Sequence, residues 1–149
     1  MREGQALKDN LYPSRIILGC SDSRVPAEIV FDQGLGDLFV IRIAGNIVAP
    51  SQIGSIEFAV ETFQTPLVVV LGHTHCGAVA ATLNQIRQPQ ASRSQHLRSI
   101  VECIRPAVEP LSEMRTNMAY EHLLEQAIRS NVRMSVNQLQ RGEAAARRV

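Results

Sequence analysis

Two stretches of the chain end alike, and they limit what it can fold into more than any other feature. Residues 15–20 read RIILGC and residues 67–73 read LVVVLGH, each a branched apolar run, a glycine, and then a side chain able to bind a soft metal. Short runs of this kind suit strands buried on both faces, as parallel sheets require. Between them lies DLFVIRIAGN, a further strand entered from the turn-rich DQGLGD and stopped by Gly45 and Asn46. Helical patterns separate the strands. A short turn is expected around Ala27 to Phe31, opened by Pro26. Ile53, Ile56, Val60 and Phe63 then recur at helical spacing, with Ser51 available as the N-cap. CGAVAATLNQI reads as a helix entered directly from the LVVVLGH strand. Residues Gln88 to Pro110 read as a polar excursion with two short helical stretches. From about Asn117, the positions Leu124, Ile128, Val132, Val136 and Leu139 mark one face of a long amphipathic helix. The closing RGEAAARRV reads as a polar, frayed tail. The alternation predicts an α/β fold, a central and mostly parallel β-sheet flanked by helices.

A chain of 149 residues is one domain's worth, long enough to bury roughly two-thirds of its unfolded surface. Fifteen Lys and Arg stand against fourteen Asp and Glu, so the net charge of +1 gives no field that favours nucleic acid or an acidic membrane. Electrostatics nominates no polymer partner over a small neutral or anionic substrate. The opening MREGQALKDN lacks the apolar stretch of a secretory signal, and no apolar run approaches the ~18 residues of a membrane span. The expectation is a soluble, cytoplasmic protein. The cysteines are Cys20, Cys76 and Cys103, which cannot all pair within one chain, so a disulfide scaffold is not expected.

In adjacent parallel strands, Cys20 and His73 would emerge at the same edge of the sheet, where open α/β folds place their ligands. Cys76, three residues after His73, would be turned back toward the same point by the start of a helix, whose N-terminus favours a thiolate. Two thiolates and an imidazole suit Zn(II), and three protein ligands leave a fourth position for water or substrate. Taken singly, a cysteine that ends a buried strand is ordinarily an inert small hydrophobe; convergence with His-x-x-Cys on a second strand end changes the balance. His75 has the wrong spacing for the set and reads as a loop or interface residue. Cys103 reads as helix packing. Asp22 and Arg24 follow Cys20 closely, and a carboxylate paired with a guanidinium stays ionised and oriented. Asp22 can either accept the hydrogen of a zinc-bound hydroxide or become the fourth ligand itself.

CSDSR followed by GHTHCGA resembles the paired signature of the β-class carbonic anhydrases, C-x-D-x-R and H-x-x-C at strand ends with RIAGN between them. The resemblance runs from about Leu11 to Gln140. It implies a single β-carbonic anhydrase-like domain over residues 1–149, one Zn(II) held by Cys20, His73 and Cys76, with Asp22 as the additional ligand of a closed state, and a catalytic dyad of Asp22 and Arg24. It also implies a substrate pocket formed by Phe39, Ala44, Phe58 and Gly77, where Phe58 replaces a common tyrosine. The implied activity is reversible hydration of carbon dioxide to bicarbonate and a proton by a homodimer or higher homo-oligomer.

Departures from the pattern are specific. Most of the family's N-terminal helical arm and its C-terminal strand are expected to be lacking. Leu11 occupies a place where a glutamine is usual, and Ile17 stands where one branch, inhibited by bicarbonate, has tryptophan. Other readings of the same residues are a thiol enzyme using Cys20 as nucleophile, a zinc-stabilised domain without turnover, and a relative acting on carbon disulfide or carbonyl sulfide. The thiol reading suffers because only three residues separate Cys20 from Arg24, too few for the phosphate-cradling loop of cysteine phosphatases.

Overall fold

Strand β1 (Arg15–Gly19) forms the middle of a parallel sheet, with β2 (Leu38–Arg42) on one side and β3 (Val68–Leu71) on the other. The structure, a computed structural model, describes residues 12–89, 94–114 and 118–146. Leu11 and Asn117 lie outside the described residues. Ile16, Ile17 and Leu18 have no exposed surface, as expected for a strand covered on both faces. From β1 the chain passes through the short helix α1 (Ala27–Val30) to β2, and then through α2 (Pro50–Phe63) to β3 on the opposite side of β1. The carboxyl ends of β1 and β3 therefore flank the point where the strand order reverses, the usual place for a ligand in such sheets.

Two apolar clusters hold this arrangement. Ile16 and Leu18 pack with Ile41 and with Ile56 and Ala59 of α2, and Val68 and Val70 join them. The second cluster is built by α3 (Gly77–Arg87), α4 (Gln95–Met114) and α5 (Tyr120–Ala146), through Val79, Leu83, Ile104, Val108, Leu123 and Ala127. Cys20 and Cys76 belong to this helical cluster, and Cys103 is half-buried against it.

The structure departs from the sequence expectations in four places. Helix α2 starts with Pro50 at its first turn and Ala49 as N-cap, so Ser51 lies inside the helix and does not cap it. The fixed φ of proline suits that first turn, and its missing N–H removes one of the amides a cap would serve. The region expected to hold two short helical stretches contains one helix, α4, which runs through Pro106 and Pro110. Both prolines are exposed, so the carbonyls of Glu102 and Pro106, deprived of their amide partners, face water. Helix α5 continues to Ala146, because three consecutive alanines favour helix over fraying. Its buried positions are Leu123, Leu124, Ala127, Asn131 and Ser135; of the expected face Leu124 is buried, Ile128, Val132 and Leu139 are half-buried and Val136 is exposed.

Close packing near the strand ends requires glycine at Gly45 and Gly72. Gly45 has φ 71°, and a Cβ there would stand 2.6 Å from Ile104 Cδ1 and 3.1 Å from Ala78 Cβ. At Gly72 a Cβ would stand 2.5 Å from Val132 Cγ2, so the glycine before His73 lets α5 lie against the end of β3. A Cβ at Gly54 would meet nothing within 4 Å. Gly45→Ala should lower the unfolding free energy by about 2–4 kcal/mol. Gly54→Ala, in the interior of α2, should raise it by about 0.5–1 kcal/mol. Denaturant titrations of the metal-free protein would check both signs; equal effects would refute the packing argument.

Candidate metal centre

Cys20 leaves β1 directly, and His73 follows β3 after Gly72. Because Gly19 pairs with Leu71, the two side chains begin one step apart at the same sheet edge. Cys76 is the N-cap of α3. The Sγ atoms of Cys20 and Cys76 and a ring nitrogen of His73 all lie within 4.8 Å of one another. Tetrahedral zinc with bonds of about 2.0–2.3 Å separates its donors by about 3.5 Å, so the set needs to contract by only about 1 Å.

The state of His73 tests whether a metal fits. Its Nδ1 lies 2.8 Å from the carbonyl oxygen of Thr74. A carbonyl only accepts, so Nδ1 carries the proton and Nε2 presents a lone pair. Among the described residues, Nε2 is the buried side-chain polar atom that has no hydrogen-bond partner. A buried acceptor left bare is costly, and a cation between it and the two sulfurs would satisfy it. The Thr74 carbonyl would then act as the outer partner that fixes a ligating imidazole.

Cys76 shows a balance that differs from the sequence expectation. Burial pushes its thiol above the ordinary cysteine value, and the neighbouring Cys20 adds to the rise; the amides of Val79 and Ala78 at the start of α3 pull the other way and are outweighed. The helix N-terminus alone does not make a thiolate here, whereas a divalent cation would reverse the sign of the local field.

Asp22 and Arg24 form the second group. Arg24 donates from Nε to Asp22 Oδ1 at 2.8 Å and from Nη2 to Oδ2 at 2.7 Å, and its backbone N–H donates to Oδ1 at 3.0 Å. These bonds hold the Asp22 carboxyl far below the usual carboxylate range, the side-chain bond from Arg24 being the largest cause. Asp22 Oδ2 stands 4.0 Å from His73 Nε2, outside the group formed by the three ligand candidates. In this structure the Asp22 carboxylate is thus engaged by Arg24.

Further supports had no assigned role in the sequence. Arg24 Nη2 also donates to the backbone carbonyl of His75 at 3.1 Å, and His75 has φ 53°, so its main chain serves the dyad while its imidazole lies 3.7 Å from Glu121. Arg42, at the end of β2, donates from Nε to the Cys20 carbonyl at 3.0 Å and from Nη2 to the Asp22 carbonyl. An arginine closing an apolar strand opposite Gly19 was the available signal. The Gly45 amide donates to Cys20 Sγ at 3.3 Å, which no residue type announces.

Of the expected pocket residues, Ala44 precedes Gly45 and Gly77 follows Cys76, so both adjoin the ligand set. Phe39 and Phe58 do not. Phe39 is opposite Ile16, four residues or about 13 Å back along the sheet from Cys20. It packs with Phe58 and Phe63 in an aromatic group with centroids 6.0–6.3 Å apart.

Because the metal-free Cys76 thiol is held protonated, uptake of zinc must release a proton. Apparent affinity should therefore rise with pH below the raised thiol value and level off above it. Competition against a chelator of known pH dependence would measure this, and a pH-independent affinity would count against Cys76 as a thiolate ligand. Cys76→Ser should lose the metal.

Comparison with known proteins agrees with the site. The model of the family described as Carbonic anhydrase matches residues 15–149, extending past Gln140, where the resemblance in the sequence ends, to include the tail. The carbonic anhydrase of Mycolicibacterium smegmatis and carbonic anhydrase 2 of Mycobacterium tuberculosis are each 50% identical over 96 residues, which cover 64% of this chain and 46% of each relative. The chain thus spans about half the length of these relatives. The crystal structure of the β-carbonic anhydrase CafA of Aspergillus fumigatus superposes with a TM-score of 0.75 at 28% identity, over 86% of this chain and 60% of that one. With its signature residues gathered at one sheet edge and the family match running from β1 to its last residue, the chain belongs to the carbonic anhydrase family, in its β class.

Proposed function

We propose that the chain is a zinc-dependent carbonic anhydrase, catalysing reversible hydration of carbon dioxide to bicarbonate and a proton. The observation that carries this reading is the bare Nε2 of His73, facing two buried thiols beside a carboxylate that a guanidinium keeps ionised. Zinc, when bound by Cys20, His73 and Cys76, supplies the Lewis acidity that makes hydroxide available near neutral pH, an effect for which carbonic anhydrase is itself the standard illustration.

The chain's own residues do the rest. Asp22 accepts a hydrogen bond from the attacking oxygen species and so turns a lone pair toward carbon. Arg24 keeps that carboxylate ionised and in place, and the His75 carbonyl in turn steadies Arg24. Loss of the Arg24 contacts would free Asp22 to enter the ligand set, the closed alternative. Ala44 and Gly77 leave room beside the ligands for a small apolar substrate.

Phe39 and Phe58 lie too far from the ligands of their own chain to touch the same substrate, and we assign them to the site of a second copy. Phe58 is 55% exposed, and Ile29, Val30, Leu35 and Val60 on the elements around β2 are exposed as well. Apolar side chains around an unpaired edge strand are the usual material of a self-association surface. No described helix is long and apolar enough to cross a membrane.

Stopped-flow assay of the zinc-loaded protein tests the activity. Hydration should rise with pH through neutrality, and because Asp22 stays ionised over that range, the rise belongs to the group that the metal activates. No rate above buffer at about pH 8.5 with zinc bound, or turnover of carbon disulfide or carbonyl sulfide alone, would overturn the reading. Arg24→Ala should retain zinc and lose about 10²-fold or more in kcat/KM. Phe58→Glu should retain zinc and shift the protein toward monomer in sedimentation.

A further inference from the structure

Helix α5 buries two polar side chains where a packed helix ordinarily buries apolar ones. Asn131 and Ser135 are each 2% exposed and lie one turn apart on the same stripe as Leu123 and Ala127. Both reach the same target. Asn131 Nδ2 donates to the carbonyl of Gly45 at 2.7 Å, and Ser135 Oγ donates to the carbonyl of Asn46 at 2.9 Å. Asn46 Nδ2 completes the exchange by approaching Ser135 Oγ at 3.4 Å.

The turn they hold is an unusual one. Gly45 and Asn46 both have positive φ, 71° and 44°, and two successive residues of that kind persist only when surrounding structure fixes them. The same turn presents the Gly45 amide to Cys20 Sγ at 3.3 Å. The Gly45 N–H belongs to the peptide just before the one whose carbonyl Asn131 holds, so fixing the Gly45 and Asn46 carbonyls restrains the dihedrals of Gly45 and with them the direction of that N–H; a turn that swung it off the sulfur would leave these buried polar groups unpaired.

We propose that Asn131 and Ser135 are positioning residues for the metal centre, acting across the protein through the Gly45–Asn46 turn to keep an N–H aimed at the Cys20 sulfur. This rests on the reading of Cys20 as a metal ligand. A hydrogen bond to a ligating thiolate withdraws charge from sulfur, so the metal receives less of it and remains a stronger Lewis acid. Residues contributed by α5 would thus tune a site to which they supply no ligand.

Cobalt(II) in place of zinc gives a readout that stability alone does not move, the thiolate-to-cobalt charge-transfer band. Asn131→Ala should shift that band to longer wavelength and weaken zinc binding about tenfold or more. Ser130→Ala is the control: on the same helix, Ser130 Oγ donates to the Ala107 carbonyl at 2.7 Å and does not touch the turn. It should lower stability and leave the band where it is. Should Asn131→Ala fail to fold, Ser135→Ala is read in the same way. Wild-type protein loaded with ¹¹³Cd should in addition show a proton–cadmium coupling at the Gly45 amide. A band unmoved in the turn-facing variants, or no coupling at Gly45, would overturn the proposal. A wild-type protein with no thiolate-to-cobalt band at all would instead overturn the metal-centre reading beneath it.

Discussion

Parallel pairing of β1 with β3, with Gly19 opposite Leu71, is the constraint on which the rest of the structure depends. It sets the ends of two strands side by side, so that Cys20, one residue out from β1, and His73, two residues out from β3, begin at one edge although 53 positions separate them in the chain. A register slip of one residue would turn Ile16 and Leu18 away from α2 and send Cys20 to the wrong face. The two branched runs that close the register are therefore also what brings the ligands together. Cys76 needs no separate device, because the turn after His73 leads straight into α3 and leaves Cys76 as its N-cap.

The electrostatics at that edge divide into a half that is settled without metal and a half that is not. Asp22 is ionised already, held by three hydrogen bonds from Arg24, and Arg42 anchors the backbone of the same loop through the carbonyls of Cys20 and Asp22. Cys76 and His73 are the reverse case. One is a thiol kept protonated by burial and the other an imidazole with a bare lone pair, and both conflicts disappear with a single divalent cation. Preorganised dyad and unsatisfied ligands, carried by the segments after two different strands, meet at one sheet edge, as expected where oriented charge must act on a metal-activated group.

Much of this was legible in the sequence, and for identifiable reasons. Ile16 to Leu18 and Val68 to Leu71 are compact branched runs with glycine after them, and strand ends of this kind fix where side chains emerge. The dyad was legible because Asp22 and Arg24 are near in sequence. Helix starts and breaks were less so. Pro50 displaced Ser51 as the feature that begins α2, and Pro106 and Pro110 failed to break α4 because they lie on its exposed face. The aromatic pair Phe39 and Phe58 was named from resemblance, and only the strand register reveals how far it stands from the ligands of its own chain.

The buried face of α5 differs from its apolar pattern for a physical reason that bears on how such a site is kept. Leu124, Ile128, Val132, Val136 and Leu139 form the more apolar stripe, yet the helix turns Asn131 and Ser135 inward. Burying them adds little net stability while their partners are in place, since each exchanges bonds with water for bonds with the turn. What it adds is a penalty for every other docking of the helix. A rotation that buried Val136 more fully would strand an amide and a hydroxyl in the core, at a cost of about 1–3 kcal/mol for each unpaired group. The apolar pattern therefore sets that α5 packs, and the polar pair sets how it packs. Because their partners are the carbonyls of Gly45 and Asn46, the one docking that satisfies them is also the one that holds the Gly45 amide against Cys20.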